Sequence, residues 1–151
     1  MKVTIRRCTE DDIEPWLEMR RVLWPDGSLE EHRAEMMDQL QREGEMAAFL
    51  ACRGDGSPIG FVEASLRFDY VNGCETSPVA FVEGLYVGLE WRLRSVARQL
   101  CQAVEDWGRG LGCAELGSDV LLDNAASHRA HAALGFEETE RVVFYRKSLR
   151  G

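Results

Sequence analysis

Two short stretches of this chain carry residues that could do chemistry together. The first is a carboxylate, Glu83, set inside the apolar run "FVEGLYV". Burying a charge there without a partner or water is costly. Glu83 therefore calls for a partner, as in a salt-bridged structural residue, or for contact with water. The second is the turn "RLRSVA", residues 92 to 97, where that apolar run gives way to a helical pattern. A helix N-terminus leaves its first N–H groups unpaired and carries roughly half a positive charge. Small residues at Ser95 and Ala97 would let an anion approach those donors, and Arg92 and Arg94 add side-chain charge. Such a turn suits a phosphate or pyrophosphate; its other reading is a solvated basic helix start. It is neither a GxxxxGK[ST] loop nor a GxGxxG fingerprint.

The elements that must position these groups can be read from pattern. "VTIRRC" (3 to 8) reads as a first strand. Thr9 with Asp12 three residues on opens a helix to about Trp24, and Ser28 with Glu31 opens a second to about Gln41. "MAAFLACR" (46 to 53) and "PIGFVEASLR" (58 to 67) flank the turn "GDGS" as a hairpin. "PVAFVEGLYV" (78 to 87) is nearly all apolar, as in a strand covered on both faces. Gly84 within it marks either a bulge or a weak point. Val96, Leu100, Val104, Trp107 and Leu111 form one helical stripe. "CAELGSD" predicts a short strand ending at Asp119, unless that residue already lies in a loop. "NAASHRAHAAL" predicts a helix capped by Asn124 and stopped by Gly135. A further short strand is expected near Phe136, and "VVFYRK" (142 to 147) as the last strand. The order β-α-α-β-β-β-α-β-α-β implies a mixed sheet with helices on both faces.

Composition bounds the partners. The chain has 151 residues, enough for one domain with a core. No apolar run approaches the ~18 residues that cross a bilayer. The opening "MKVTIRRC" lacks the apolar core and cleavage site of a signal peptide, so a cytoplasmic protein without membrane partners is expected. The formal charge of −8 disfavours nucleic acid and favours cationic ligands, although acidity also serves solubility. Five cysteines without a CxxC pair suggest reduced thiols, and His32 and His128 show no ligand spacing, so no metal is expected.

At this level of detail the residues resemble a known family. "RLRSVA" is similar to the [Q/R]xxGx[G/A] pyrophosphate loop of the GNAT superfamily of acetyl-CoA-dependent N-acetyltransferases, with Ser95 where that loop usually has glycine. "NAASHRAHAALGF" (124 to 136) resembles the family's second signature, with His131 where many relatives carry tyrosine. "LWP" (23 to 25), "DYVNGC" (69 to 74), "SPVAFVEG" (77 to 84) and "GFEETERVVFYRK" (135 to 147) look like the short, single-domain aminoglycoside 6'-N-acetyltransferases.

The resemblance implies a single domain over residues 1–151, an α/β (α+β) fold with a GNAT-type mixed, mostly antiparallel sheet, helices on both faces, and a splay at the acetyl-CoA slot. It implies acetyl transfer from acetyl-CoA to the 6'-amine of aminoglycosides by direct attack of the amine, conferring antibiotic resistance. Leu85, Tyr86 and Val87 would pair with the pantetheine arm, and the Val87 N–H would stabilise the oxyanion. Arg92, Leu93, Arg94, Ser95, Val96, Ala97 and Asn124 would hold the cofactor. Glu83 and Asp119 would serve as catalytic carboxylates, and Trp24, Tyr70 and Glu140 would join them in binding the drug. His131 and Tyr145 would protonate the leaving thiolate, His131 being otherwise a packed, hydrogen-bonded histidine. A homodimer is common in the family. Two other functions fit the residues: acetylation of another polyamine or peptide amine, and a non-catalytic acetyl-CoA-binding regulator.

Overall fold

The computed structural model describes residues 2–92 and 94–151. They fall into two compact units, Met1–Asp119 and Val120–Gly151. The first unit holds a five-stranded sheet in the order β1 (Val3–Arg7), β2 (Met46–Arg53), β3 (Pro58–Arg67), β4 (Val79–Val87), β5 (Leu116–Gly117). The first four strands run antiparallel to their neighbours, and β5 lies parallel to β4. The mixed sheet expected from pattern is thus present, and it is mostly antiparallel as the resemblance implies.

Three helices belong to this unit: α1 (Ile13–Leu23), α2 (Leu29–Gln41) and α3 (Val96–Gly110). A 3-10 turn at Glu10–Asp12 leads into α1. Thr9 caps it, and the Asp12 carboxylate accepts from the Thr9 N–H, the reciprocal arrangement read from the sequence. Ser28 caps α2 by accepting from the Glu31 N–H. Trp16, Leu17 and Met36 of α1 and α2 pack with Leu50 and Phe61 in one buried cluster. Gly60, which alternates with Phe61, faces Leu100 of α3, so α3 covers the opposite side of the sheet. The α3 stripe is buried at Val96, Leu100 and Val104; Trp107 is half-buried, and Leu111 is exposed beyond the helix end. All five cysteines are free thiols, and burial pushes the Cys101 thiol up to about 11.

The second unit contains α4 (Ala125–Ala133). The Asn124 side chain accepts from the Ser127 N–H, and Gly135, at φ 89°, ends the helix with Phe136 donating back to His131. Two expectations fail here. Among the described residues no strand forms over 142–147 or beside Phe136. A strand exists only through its partners, and within this unit nothing pairs with the segment. Val143, Phe144 and Tyr145 stand exposed instead.

Asp12 ties the chain's first strand to its first helix. Arg6 donates to both of its oxygens at 2.7 Å, and this guanidinium holds the carboxyl below the usual carboxylate range. A depressed native pKa means stability present above the unfolded value of about 3.9 and lost as pH falls through the native one. Asp12→Ala is expected to lower unfolding free energy by about 1 to 2 kcal/mol at neutral pH and to flatten the acid limb of the stability profile. Denaturant titrations between neutral and acidic pH measure both.

Candidate active site

The site begins with one extra residue in β4. Glu63 pairs with Gly84 across the β3–β4 ladder, but the next pair is Ala64 with Val82, leaving Glu83 without an opposite number. This is a bulge, and it has two geometric results. First, it breaks the alternation that would otherwise send Glu83 and Gly84 to opposite faces. Both now serve the face covered by α1, where the Trp24 ring lies so close to Gly84 that a Cβ there would sit 2.3 Å from it. Glu83 accepts from Ser65 Oγ at 2.8 Å and from Arg67 at 2.6 Å, and its side chain stays partly exposed.

Second, the bulge resets which N–H groups face which neighbour. Gly88 donates to Ile59 on the β3 side, so by alternation the Val87 and Leu85 N–H groups point to the other side. Ahead of the bulge, Ala80 already donates toward β5, to Glu115. The β5 pairing covers only Ala80 and Phe81. The strand backbone at Leu85–Val87 therefore lies beyond the β5 pairing, with the Leu85 and Val87 donors turned to that side.

On the α1 and α2 side the bulge opens into a cavity of about 560 Å³. Its walls carry five carboxylates, Glu31, Glu35, Asp38, Glu63 and Glu83, against the single guanidinium of Arg20. A ligand seated there meets negative potential, which suits a substrate bearing ammonium groups.

Beneath the cavity lies a buried polar network that sequence reasoning missed. Glu63 accepts from Arg20 at 2.6 Å, Trp16 at 3.0 Å and Gln39 at 2.6 Å. Burial pushes its carboxyl up, and the Arg20 guanidinium pulls against that rise. Arg20 also donates to His32 and to Glu35. Two signals were available. The tripeptide Phe-Val-Glu occurs at 61–63 as well as 81–83, and Arg20 falls four residues after Trp16 on the buried stripe of α1.

The arginine-rich turn lies beyond the end of β4. Arg92 donates from Nε to the Val87 carbonyl at 2.9 Å, which anchors its charge at the end of β4. Arg94 lies over the Trp91 ring at 5.5 Å. Ser95 sits at the N-cap of α3 with φ 64° and ψ 7°, the left-handed region. The Val96 and Ala97 N–H groups open the helix behind it. Leu93 lies outside the described residues.

The acetyltransferase (GNAT) family model matches residues 13–136. The aminoglycoside N(6')-acetyltransferase type 1 of Serratia marcescens is 51% identical over 94% of this chain and 97% of its own length. Its namesake from Stenotrophomonas maltophilia is 47% identical over 97% and 94%. Among solved structures, AAC(6')-Iy in complex with the bisubstrate analogue CoA-S-monomethyl-acetylneamine has a TM-score of 0.93 at 46% identity, covering 98% of this chain and 99% of that one. The aminoglycoside 6'-N-acetyltransferase AAC(6')-Ih of Acinetobacter baumannii has a TM-score of 0.93 at 41% identity, covering 99% and 100%. This chain belongs to the GNAT acetyltransferase family.

Within this GNAT chain the first unit brings some of the expected residues into one cavity, and others belong to the second unit. Glu83 and Trp24 line one cavity. Leu85, Tyr86 and Val87 form the end of β4 beyond the β5 pairing, with Val87 buried and the Tyr86 ring turned back onto Phe61. Asp119 is exposed, two residues past Gly117, which pairs with Phe81; Glu83 is two residues past Phe81 on the parallel neighbour. Asp119 does not line the cavity, nor does Tyr70, which is 75% exposed between β3 and β4. Asn124, His131, Glu140 and Tyr145 belong to the second unit. There Asn124 caps α4, while His131 Nδ1 lies 2.7 Å from the Ser127 carbonyl with its ring 5.1 Å from that of Phe136. Tyr145 is 92% exposed.

Ser95 provides a direct test of the turn. A left-handed non-glycine residue costs about 1 to 2 kcal/mol, partly offset by the smaller unfolded-state freedom of serine compared with glycine. Ser95→Gly is expected to raise stability by about 0.5 to 1 kcal/mol, measured by urea unfolding, without weakening acetyl-CoA binding in calorimetry.

Proposed function

We propose that this protein transfers the acetyl group of acetyl-CoA to the 6'-amine of aminoglycosides and so confers resistance to them. The carrying observation is the β4 bulge, which leaves a carboxylate outside the strand ladder beside an acidic cavity and, two and four residues on, turns backbone donors away from β3. The two units act as one acetyltransferase domain, a reading supported by a family match that crosses the boundary at Asp119.

Each residue then has a task. The turn formed by Arg92, Leu93, Arg94, Ser95, Val96 and Ala97 binds the cofactor pyrophosphate, supported by the α3 N-terminus and two guanidinium groups. Leu85, Tyr86 and Val87 bind the pantetheine arm by strand-like pairing, and Asn124 completes the cofactor contacts. The cavity carboxylates, with Asp119 and Glu140, hold the substrate's ammonium groups, and Trp24 and Tyr70 contact its sugar rings. Glu83 accepts the proton of the 6'-ammonium, directly or through water, releasing a neutral amine. That amine attacks the thioester carbon, and the Val87 N–H donates to the oxygen as it becomes negative. The carbon–sulfur bond then breaks, the thiolate takes a proton from His131 or Tyr145, and the acylated nitrogen sheds its second proton through water, which restores that group. A thiolate with a pKa near ~8.5 leaves readily, so its protonation contributes little.

The working protein is a cytoplasmic homodimer. Among the described residues no helix is long and apolar enough to cross a membrane. The exposed β-prone segment Val142–Tyr145 supports self-association, since an unpaired apolar strand seeks a neighbour.

Two measurements follow. Steady-state acetylation of kanamycin and tobramycin is expected to proceed well above background, with Glu83→Gln lowering kcat/KM by about a hundredfold. No turnover with any 6'-amino drug overturns the assignment, and an unchanged Glu83→Gln removes that residue from the mechanism. Light scattering coupled to size exclusion is expected to give twice the chain mass of 17.1 kDa; a monomer across the accessible concentration range refutes the dimer.

A further inference from the structure

We propose that Arg20 and His32 are positioning residues for the acceptor side of the site, clamping the Trp24 indole over the Gly84 bulge. The proposal rests on the reading of this cavity as the amine-binding site. It adds two residues that the chemistry above does not use.

The geometry of Arg20 is unusually complete. Its side chain is 1% exposed. Nε donates to His32 Nδ1 at 3.1 Å, one terminal nitrogen donates to Glu63 at 2.6 Å, and the other donates to Glu35. The guanidinium also lies 4.8 Å from the centroid of the Trp24 ring, within cation–π range. A planar group held by three partners cannot rotate, so the ring resting on it has a fixed floor.

His32 supplies the second hold. Arginine Nε carries a hydrogen and accepts nothing, so His32 Nδ1 must be the acceptor and bear no proton. The ring proton is therefore on Nε2, which donates to the Trp24 carbonyl at 3.1 Å. One tautomer alone satisfies both contacts. The approach depends on Gly27, where a Cβ would sit 3.0 Å from Nε2.

Trp24 is thereby fixed at both ends. Its N–H donates to the Arg20 carbonyl at 2.7 Å, its own carbonyl accepts from His32, and its indole is wedged between Arg20 and Gly84. Trp24 is also the last residue before the chain leaves α1, where a side chain would otherwise be loosely held. A buried ion pair is a poor way to gain stability, because apolar residues of similar volume often do as well. Its use here is positional. It sets the wall against which an acceptor ring lies while the amine reaches Glu83.

The test compares wild type with His32→Leu, His32→Gln and Gly84→Ala. His32→Leu removes both of the imidazole's hydrogen bonds. His32→Gln restores one donor and one acceptor. Gly84→Ala displaces the indole while leaving the Arg20, His32 and Glu63 contacts in place, so it carries the test should His32→Leu fail to fold. In folded His32→Leu and Gly84→Ala, KM for kanamycin is expected to rise about tenfold with kcat within about threefold of wild type, the pattern of lost binding contacts. Calorimetric affinity for coenzyme A should be unchanged, and His32→Gln should recover most of the loss. A merely structural role would lower melting temperature and active fraction without moving KM. Kanamycin titrated into the coenzyme A-bound proteins gives the same comparison without turnover. A wild type that binds and acetylates kanamycin beside folded variants of unchanged KM sinks this proposal alone. A wild type that neither binds nor acetylates it sinks the functional assignment, and this proposal with it.

Discussion

Strand alternation is a parity rule, and a single inserted residue reverses it for everything downstream. In this protein that residue is Glu83. Without the insertion, Glu83 would keep the face of Phe81, two residues before it, but would pair within the β3–β4 ladder, and every residue after it would change faces. The Val87 N–H would turn toward β3 and be consumed by the ladder. With it, the carboxylate faces water and cations on one side of the sheet, while the Leu85 and Val87 donors face away from β3. The oxyanion donor proposed at Val87 follows from this irregularity, which also leaves Glu83, the proposed acid–base group, outside the β3–β4 ladder. Gly84 is what makes it compatible with α1, because any side chain at that position would collide with Trp24.

The irregularity would be soft if nothing braced it. A bulge breaks ladder hydrogen bonds and bends its strand, so the neighbouring residue on β3 matters. That residue, Glu63, pairs directly with Gly84 and is held by Arg20, Trp16 and Gln39. The strand paired with the bulge is therefore pinned by charge-assisted bonds that reach into α1 and α2. Removing one member of such a pair typically costs about 3 to 5 kcal/mol, since it strands the other charge. Rigidity at the bulge and the fold's only deeply buried ion pair among the described residues are thus one feature.

Much of this was legible in sequence because it is local. The hairpin strands 46–53 and 58–67 coincide with β2 and β3, since two β-rich runs around "GDGS" leave little choice. Thr9, Ser28 and Asn124 all cap as their types and spacing suggest. Gly84 and Glu83 were visible as anomalies in an apolar strand. The Arg20–His32–Glu63 network was not visible, because its members lie 12 and 43 residues apart and meet only after α1 folds onto the sheet. The run 142–147 failed for the opposite reason. Its β-propensity is real, but a strand is defined by hydrogen bonds to a neighbour, and propensity does not supply the neighbour. The strand expected to end at Asp119 forms only at Leu116–Gly117, which leaves Asp119 exposed in the segment beyond it, and Tyr70 is exposed in the connection between β3 and β4.

The pairing of Glu83 with Arg67 bears on how a cationic substrate enters. Both side chains are partly exposed, at 33% and 41%. An ion pair in that setting contributes about 0 to 1 kcal/mol, because water screens the attraction. Glu83 therefore has a partner that keeps it oriented without holding it strongly. In the proposed reaction an incoming ammonium would replace one cation with another, and the carboxylate would keep a partner during the exchange. Arg67 has its own alternative support, the Phe81 ring 3.6 Å below its guanidinium. Glu63 could not play this part. Its partner is buried, and breaking that pair would uncover a desolvated charge. The two Phe-Val-Glu strands thus carry the same tripeptide in opposite regimes, one carboxylate locked for structure and the other loosely held for exchange. What separates them is one residue of register and the solvent exposure it brings.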